Sequence, residues 1–167
     1  MPIASVIVAK KAAGTPATVL LTAQNVTHAL HPYDVSPDAP NYGALVAAAL
    51  GVAPEAVFKT LITEVDGALT VAVVPVTGEL DLKALAHAAG GKRATMADRA
   101  AAERSSGYVR GGISPLGQRK RLPTVIDESA AGLALIYVSA GRRGLQVSLA
   151  PADLIRLTGA VTATIRT

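Results

Sequence analysis

The stretch AVFKTLITEVDGALTVAVVPV, residues 56–76, decides how the chain is read. Two apolar runs, 56–64 and 68–76, flank Asp66-Gly67, and an Asp-Gly pair between such runs is a strong hairpin signal. In the first run Val57, Lys59 and Leu61 share one face, and Phe58, Thr60 and Ile62 the other. A lysine between Val and Leu is costly unless its ammonium reaches water or an anion. On pattern, two readings of Lys59 stay open. It is a snorkelling or edge-guarding lysine, or a cation on a pocket wall able to meet a phosphate, a ribose or a carbonyl oxygen.

Outward from the hairpin, helix signals fall at 15–24, with Thr15 as cap and Pro16 in first position. Others fall at 41–50, with Asn41 as cap and Gly51 as stop, at 81–89 before Gly90-Gly91, at 98–104 and at 151–158. Strands are expected at 26–33, 133–139, 144–149 and 161–165. Residues 36–40 form a turn-rich loop. Residues 105–123 are rich in Gly, Pro and Arg without a period, and so long a loop in a compact domain is commonly functional. There is no repeat and no linker. Strands and helices mix without a βαβ rhythm, which predicts a single α+β domain, a mixed sheet with flanking helices. Residues 1–14 are expected to be a weakly ordered tail and 15–167 the domain.

The 167 residues suit one domain, and at 50% apolar they can form a core. One Phe, four Tyr and no Trp disfavour RNA modules that stack bases on aromatic platforms. With no cysteine, a thiol nucleophile, a disulfide framework and thiolate metal sites are excluded. No run reaches the roughly 20 apolar residues of a membrane span. The opening Met1 to Val8 is short and precedes Lys10 and Lys11, the reverse of a signal peptide, so a cytoplasmic protein without membrane contact is expected. Residues 92–121 carry eight cations against two anions, and Arg142 and Arg143 form a second cluster. Such a face suits a polyanion, although a solvated basic surface explains charge alone equally well. His28, His31 and His87 lack metal-site spacing: in a strand the first two point to opposite faces. Neither a G-x-S-x-G elbow nor a phosphate-loop motif is present. What remains beside Lys59 is Gly111-Gly112-Ile113-Ser114-Pro115-Leu116-Gly117, whose paired glycines leave backbone N–H groups open to an oxyanion or carbonyl. An ordinary surface turn is the competing reading.

Several motifs in order carry a family resemblance: F-K-T-L at 58–61, V-A-V-V-P-V at 71–76, L-D-L-K at 80–83, M-A-D at 96–98 and R-S-S-G-Y at 104–108. G-G-I-S-P-L-G-Q at 111–118, K-R-L-P-T at 120–124, I-Y-V-S at 136–139 and R-G-L at 143–145 complete the series. The chain resembles the YbaK-type Cys-tRNA(Pro) deacylases, relatives of the editing domain of bacterial prolyl-tRNA synthetases, over residues 15–165. The resemblance implies a mixed, partly barrel-like β-sheet with helices around it. It implies trans-editing hydrolysis of the ester joining cysteine to tRNA(Pro), extending to Cys-tRNA(Cys), with no metal and no cofactor. It further implies aminoacyl-tRNA as partner and a transient ternary complex with prolyl-tRNA synthetase.

By the same resemblance, Lys59 is the essential lysine. Tyr33, Thr60, Gly111, Gly112, Ile113, Ser114 and Ser139 make the substrate pocket, while the charge clusters, read as a basic face, put Arg119, Lys120, Arg121, Arg142 and Arg143 against the tRNA. Where the family often has Asp, this chain has Gln146, a neutral amide that cannot pair with an α-ammonium as a carboxylate would. That departure keeps an editor of another charged tRNA, such as Ala-tRNA(Pro), in view. A non-catalytic tRNA- or synthetase-binding module is the alternative from another class. Without a protein thiol, the family mechanism lets the substrate's own thiol attack the ester, while the protein orients it and stabilises charge.

Overall fold

The computed structural model describes residues 14–167, so the expected tail, apart from Gly14, lies outside the described residues. Helix α1 (Pro16–Ala23) begins where Pro16 predicts, with the Thr15 hydroxyl accepting from the Thr18 N–H and donating to the Ala140 carbonyl. Strand β1 (His28–Pro32) and helix α2 (Tyr42–Leu50) follow. Asn41 precedes α2 in a left-handed conformation (φ 57°) and its side chain makes no capping bond, so the expected cap fails while Gly51 does end the helix.

The hairpin forms as read. Strands β2 (Phe58–Val65) and β3 (Ala68–Pro75) pair antiparallel from Phe58↔Pro75 to Val65↔Ala68. Asp66 (φ 50°) and Gly67 (φ 84°) both take positive φ, the backbone that a tight hairpin turn requires. The chain continues through α3 (Leu82–Ala88), β4 (Ala94–Met96) and α4 (Arg99–Ser106), and α3 and α4 are capped by Asp81 and Asp98. After the long loop come β5 (Thr124–Asp127), β6 (Ile136–Arg142), β7 (Leu145–Leu149), α5 (Pro151–Thr158) and β8 (Val161–Ala163). Strands β4 and β5 were not expected, since three or four residues show no period of their own and owe their conformation to their neighbours.

The strands make two sheets, one ordered β1-β7-β6 and wholly antiparallel, the other ordered β4-β2-β3-β5-β8 and mixed. They do not close into a barrel, which corrects the partly barrel-like expectation. Among the described residues outside these ladders, one isolated bridge, Val57↔Tyr137, joins the beginning of β2 to β6. The α+β class and the flanking helices hold. Strand β3 is buried on both faces: Val71 and Val73 enter the main core with Phe58, Ile62 and Ile126, whereas Ala72 and Val74 enter a second core under α3 with Leu85 and Ile165. Among the described residues, no helix is long and apolar enough to cross a membrane.

Asp127 fastens the C-terminal end to the sheet. Its buried carboxylate accepts from the Ser129 hydroxyl (2.6 Å) and from the N–H groups of Ile165 (2.9 Å) and Arg166 (3.2 Å). Asp127→Asn turns one acceptor into a donor facing other donors. It is expected to lower unfolding free energy by about 1–3 kcal/mol in urea denaturation, and an unchanged midpoint would contradict this role.

Candidate functional site

Strand β2 is paired along its whole length with β3, but β4 covers only Thr63–Val65 on the opposite edge. The last bond on that side runs from the Ala97 N–H to the Ile62 carbonyl. Backbone direction alternates along a strand, so Thr60 turns its own N–H and C=O towards the gap that β4 leaves. A cavity of about 820 Å³ opens there. Its walls come from β2, the start of α2, the Met96–Glu103 region, the loop at Arg110–Ile113, and Ser139 and Gln146 of the other sheet. Because the cavity opens on the strand's edge, consecutive residues pointing to opposite faces, Lys59 and Thr60, both line it.

Lys59 is neither buried nor free in solvent. Its side chain is 33% exposed, and its ammonium donates to Glu79 Oε2 at 3.2 Å, on a glutamate that is itself 80% exposed. The pair sits on the wall with the glutamate on the water side, so an incoming anion can replace the carboxylate at little cost. Thr60 Oγ1 and Gln146 Oε1 are buried and have no hydrogen-bond partner among the described residues. Most buried polar atoms are satisfied in folded proteins, and two exceptions on one cavity mark where a ligand would bring partners. Ser139 is the register partner of Gln146, and its hydroxyl accepts from the Gly141 N–H at 3.1 Å.

The glycine loop is tied down from below. The buried Tyr108 hydroxyl donates to the Leu116 carbonyl (2.5 Å), and burial raises its pKa. Gly111 (φ 88°) lies on the cavity with Arg143 packed against it, and the Arg143 guanidinium donates to the Arg110 carbonyl at 2.9 Å. Gly112 passes so close to the β6–β7 turn that a Cβ would stand 2.8 Å from the Arg142 Cα. Its N–H donates to the Val109 carbonyl (2.9 Å), so Gly112 cannot offer that group to a ligand. The N–H groups of Gly111 and Ile113 have no such partner among the described residues, and both residues line the cavity.

Of the residues expected at the site, the fold gathers Lys59, Thr60, Gly111, Ile113, Ser139 and Gln146 on one cavity. Gly112 stands behind it. Ser114 is fully buried elsewhere, its hydroxyl accepting from the Leu116 N–H and its carbonyl from the Gln118 side chain. Tyr33 is one step removed: its hydroxyl meets that of Tyr42 (2.5 Å), and Tyr42, which lines the cavity, has its pKa raised by burial and by this bond. The expected RNA-facing cations separate. Arg143 and Arg142 flank the glycine loop, whereas Lys120 and Arg121 line another cavity of about 200 Å³ and Arg119 packs over Gly107. The reading missed Tyr42, Glu79, Arg99, Glu103 and Arg110, all on the main cavity. Glu103 accepts from the Arg110 N–H and from Arg99, and the backbone bond foremost holds its pKa below the usual range. The basic run contains Arg99 and Arg110, but a count of charges does not say which of them turn inward.

Comparison with known proteins gives the family and the fold. The family model described as aminoacyl-tRNA editing domain matches residues 37–157. A protein of Enterococcus faecalis (strain ATCC 700802 / V583), EbsC, carries the name of a candidate Cys-tRNA(Pro)/Cys-tRNA(Cys) deacylase. It is 45% identical over 125 residues, which make up 73% of this chain and 75% of that protein. Among solved structures, a hypothetical protein superposes with a TM-score of 0.80 at 25% identity, over 91% of this chain and 99% of its own. A candidate trans-editing enzyme for prolyl tRNA synthetase superposes with a TM-score of 0.78 over 91% of this chain and 97% of its own; at 21% identity it speaks for the fold alone. With most of its length matched by the family model and by a relative of this identity, the chain belongs to the aminoacyl-tRNA editing domain family.

Proposed function

We propose that this protein is a trans-editing deacylase that removes cysteine from mischarged Cys-tRNA(Pro) and acts also on Cys-tRNA(Cys). The observation that carries the proposal is the Lys59 ammonium on the wall of a cavity that also presents Gly111, Ile113 and two unpartnered polar side chains. Family membership and the name of the Enterococcus faecalis relative support the substrate class.

The roles follow from position. Lys59 exchanges its exposed Glu79 partner for the terminal ribose-phosphate or the reacting carbonyl of the substrate. The Gly111 and Ile113 N–H groups are the donors left for the developing oxyanion. Thr60, Ser139 and, through Tyr42, Tyr33 orient the aminoacyl group. This chain, without cysteine, brings no thiol of its own, and in the mechanism that the family resemblance implies the nucleophile is the substrate's own thiol. Its sulfur bonds to the ester carbon, the ester C–O bond breaks, and the thiol proton ends on the released ribose hydroxyl. The products are a cyclic thiolactone and deacylated tRNA. Holding sulfur and carbonyl in reacting geometry is a large catalytic contribution by itself. Arg110 and Arg99 line the cavity, Arg143 and Arg142 flank its glycine loop, and together they suit the RNA backbone near the aminoacylated end, with prolyl-tRNA synthetase the partner that delivers the tRNA.

Lys59→Ala is expected to lower Cys-tRNA(Pro) deacylation on the order of 100-fold or more, while circular dichroism stays unchanged, because the lost ion pair is a surface one. Near-normal turnover would remove Lys59 from the mechanism. Assays of Cys-tRNA(Pro) beside Cys-tRNA(Cys) and Ala-tRNA(Pro) are expected to favour the two cysteinyl esters, and preference for Ala-tRNA(Pro) would reassign the substrate. Affinity for tRNA is expected to fall steeply as salt rises, because phosphate contacts release counterions, and a salt-independent dissociation constant would rule out the basic rim.

A further inference from the structure

Gln146 is 6% exposed and lines the main cavity, yet its amide oxygen has no hydrogen-bond donor. The Thr60 hydroxyl on the same cavity is buried and unpartnered too. Leaving a buried amide oxygen unsatisfied is costly, and a ligand that brings a donor removes the cost.

The charges around the pair decide what kind of donor fits. Of the carboxylates on the cavity wall, Glu103 is engaged by Arg99, and Glu79, which Lys59 releases when substrate enters, is 80% exposed on the water side whereas Gln146 is buried. Arg110 adds a further cation to the wall, and Arg143 packs behind it. From β1, His31 stands opposite Gln146 in register, but its ring bonds to the Ser148 hydroxyl (2.8 Å), and burial lowers its pKa. On the β6 side are Tyr137, which packs on the His31 ring, and Arg142 at the turn. From α2, Tyr42 is engaged with Tyr33.

We propose that Gln146 and Thr60 form an uncharged subsite for the α-amino group of the aminoacyl ester, and that this protein takes that group as the neutral amine. The inference rests on the deacylase reading above and adds the protonation state that the site selects. A neutral amine has N–H groups for the Gln146 oxygen and a lone pair for the Thr60 hydroxyl, so both orphan atoms are satisfied. An ammonium would shed its water for a buried pair of uncharged side chains on a wall that carries the Arg110 cation, and desolvation and like charge both oppose that. The amide carries no charge whichever way it is turned, so selection by charge does not depend on its orientation.

The test uses two hydrolysis-resistant probes built on 3′-amino-3′-deoxyadenosine. One carries alanine in amide linkage, and the other carries propionyl, which lacks the amino group. Affinities are measured by calorimetry from pH 6.5 to 8.5 on proteins checked by circular dichroism. In the wild type the alanyl probe is expected to tighten roughly tenfold relative to the propionyl probe as the α-amino group passes its ordinary range of about 7.7–8.0. The propionyl probe removes any titration of the protein, His31 included. Gln146→Glu, which places an anion in the subsite, is expected to abolish or reverse the trend. Gln146→Met, of similar length without polar atoms, is expected to weaken the alanyl probe alone, and it keeps the test intact should the buried glutamate not fold. Wild-type binding of both probes with no relative pH dependence, or tighter alanyl binding at low pH, overturns the uncharged subsite while leaving the deacylase reading in place. Failure of both probes to bind, together with no deacylation of Cys-tRNA(Pro), overturns both.

Discussion

The open edge of β2 between Phe58 and Ile62 is the constraint from which the site follows. A strand covered on both edges would place Lys59 on one face and Thr60 on the other, and no cavity could use both. Because the last bond on the β4 side ends at Ile62 and the Val57↔Tyr137 bridge marks the near end, the residues between face a gap rather than a strand. Side chains from above and below then converge on it, and the Thr60 backbone joins them. Elsewhere an open sheet edge invites association with another chain. Here α2, α4 and the glycine loop stand around the gap and turn it into a cavity.

The second sheet supplies what the first lacks. Its apolar face, with Leu30, Val138, Val147 and Leu149, belongs to the main core, and the alternate residues form a polar face carrying His31, Ser139, Gln146 and Ser148. Two-residue periodicity thus puts polar side chains against the cavity while the same strands hold the core together. The tight passage of Gly112 beneath Arg142 packs the glycine loop directly on the β6–β7 turn. The N–H of Gly112 is spent on Val109, and its missing Cβ is what permits the close passage that leaves Gly111 and Ile113 at the cavity.

Local chemistry was legible in the sequence, and long-range geometry was not. Asp66-Gly67 announced its hairpin because the turn's requirement for positive φ is written in two residues. Pro16 and Thr15 announced α1, and Pro151 and Gly159 bound α5, for similar reasons. Strand β5 stayed hidden because its conformation comes from parallel pairing with β3, some fifty residues earlier, and the four residues Thr-Val-Ile-Asp after a proline carry no signal of that. At the site, Lys59 stood out because a cation in an apolar strand demands an explanation. Glu79, its partner, did not, because an exposed glutamate demands none. Ser114 sat within a run matching the family and was carried along with it, yet its side chain closes the loop on itself. A motif match assigns a segment, and only the fold assigns each side chain within it.

The chemistry of the cavity is mainly one of restraint. In the proposed mechanism the walls hold and polarise an ester, and a chain without cysteine offers it no thiol nucleophile. An enzyme that works in this way lets the substrate choose itself, because an ester without an internal thiol can enter and still leave unchanged. Discrimination then lies in the reacting step, where orientation counts for most, and less in exclusion by size, which a cavity of about 820 Å³ imposes weakly. A pocket tolerant in binding and exacting in reaction suits an editor that meets correctly charged tRNAs far more often than wrong ones. A strong protein nucleophile would threaten every one of those, whereas in the proposed mechanism a thiol brought by the substrate exposes only cysteinyl esters, Cys-tRNA(Cys) among them.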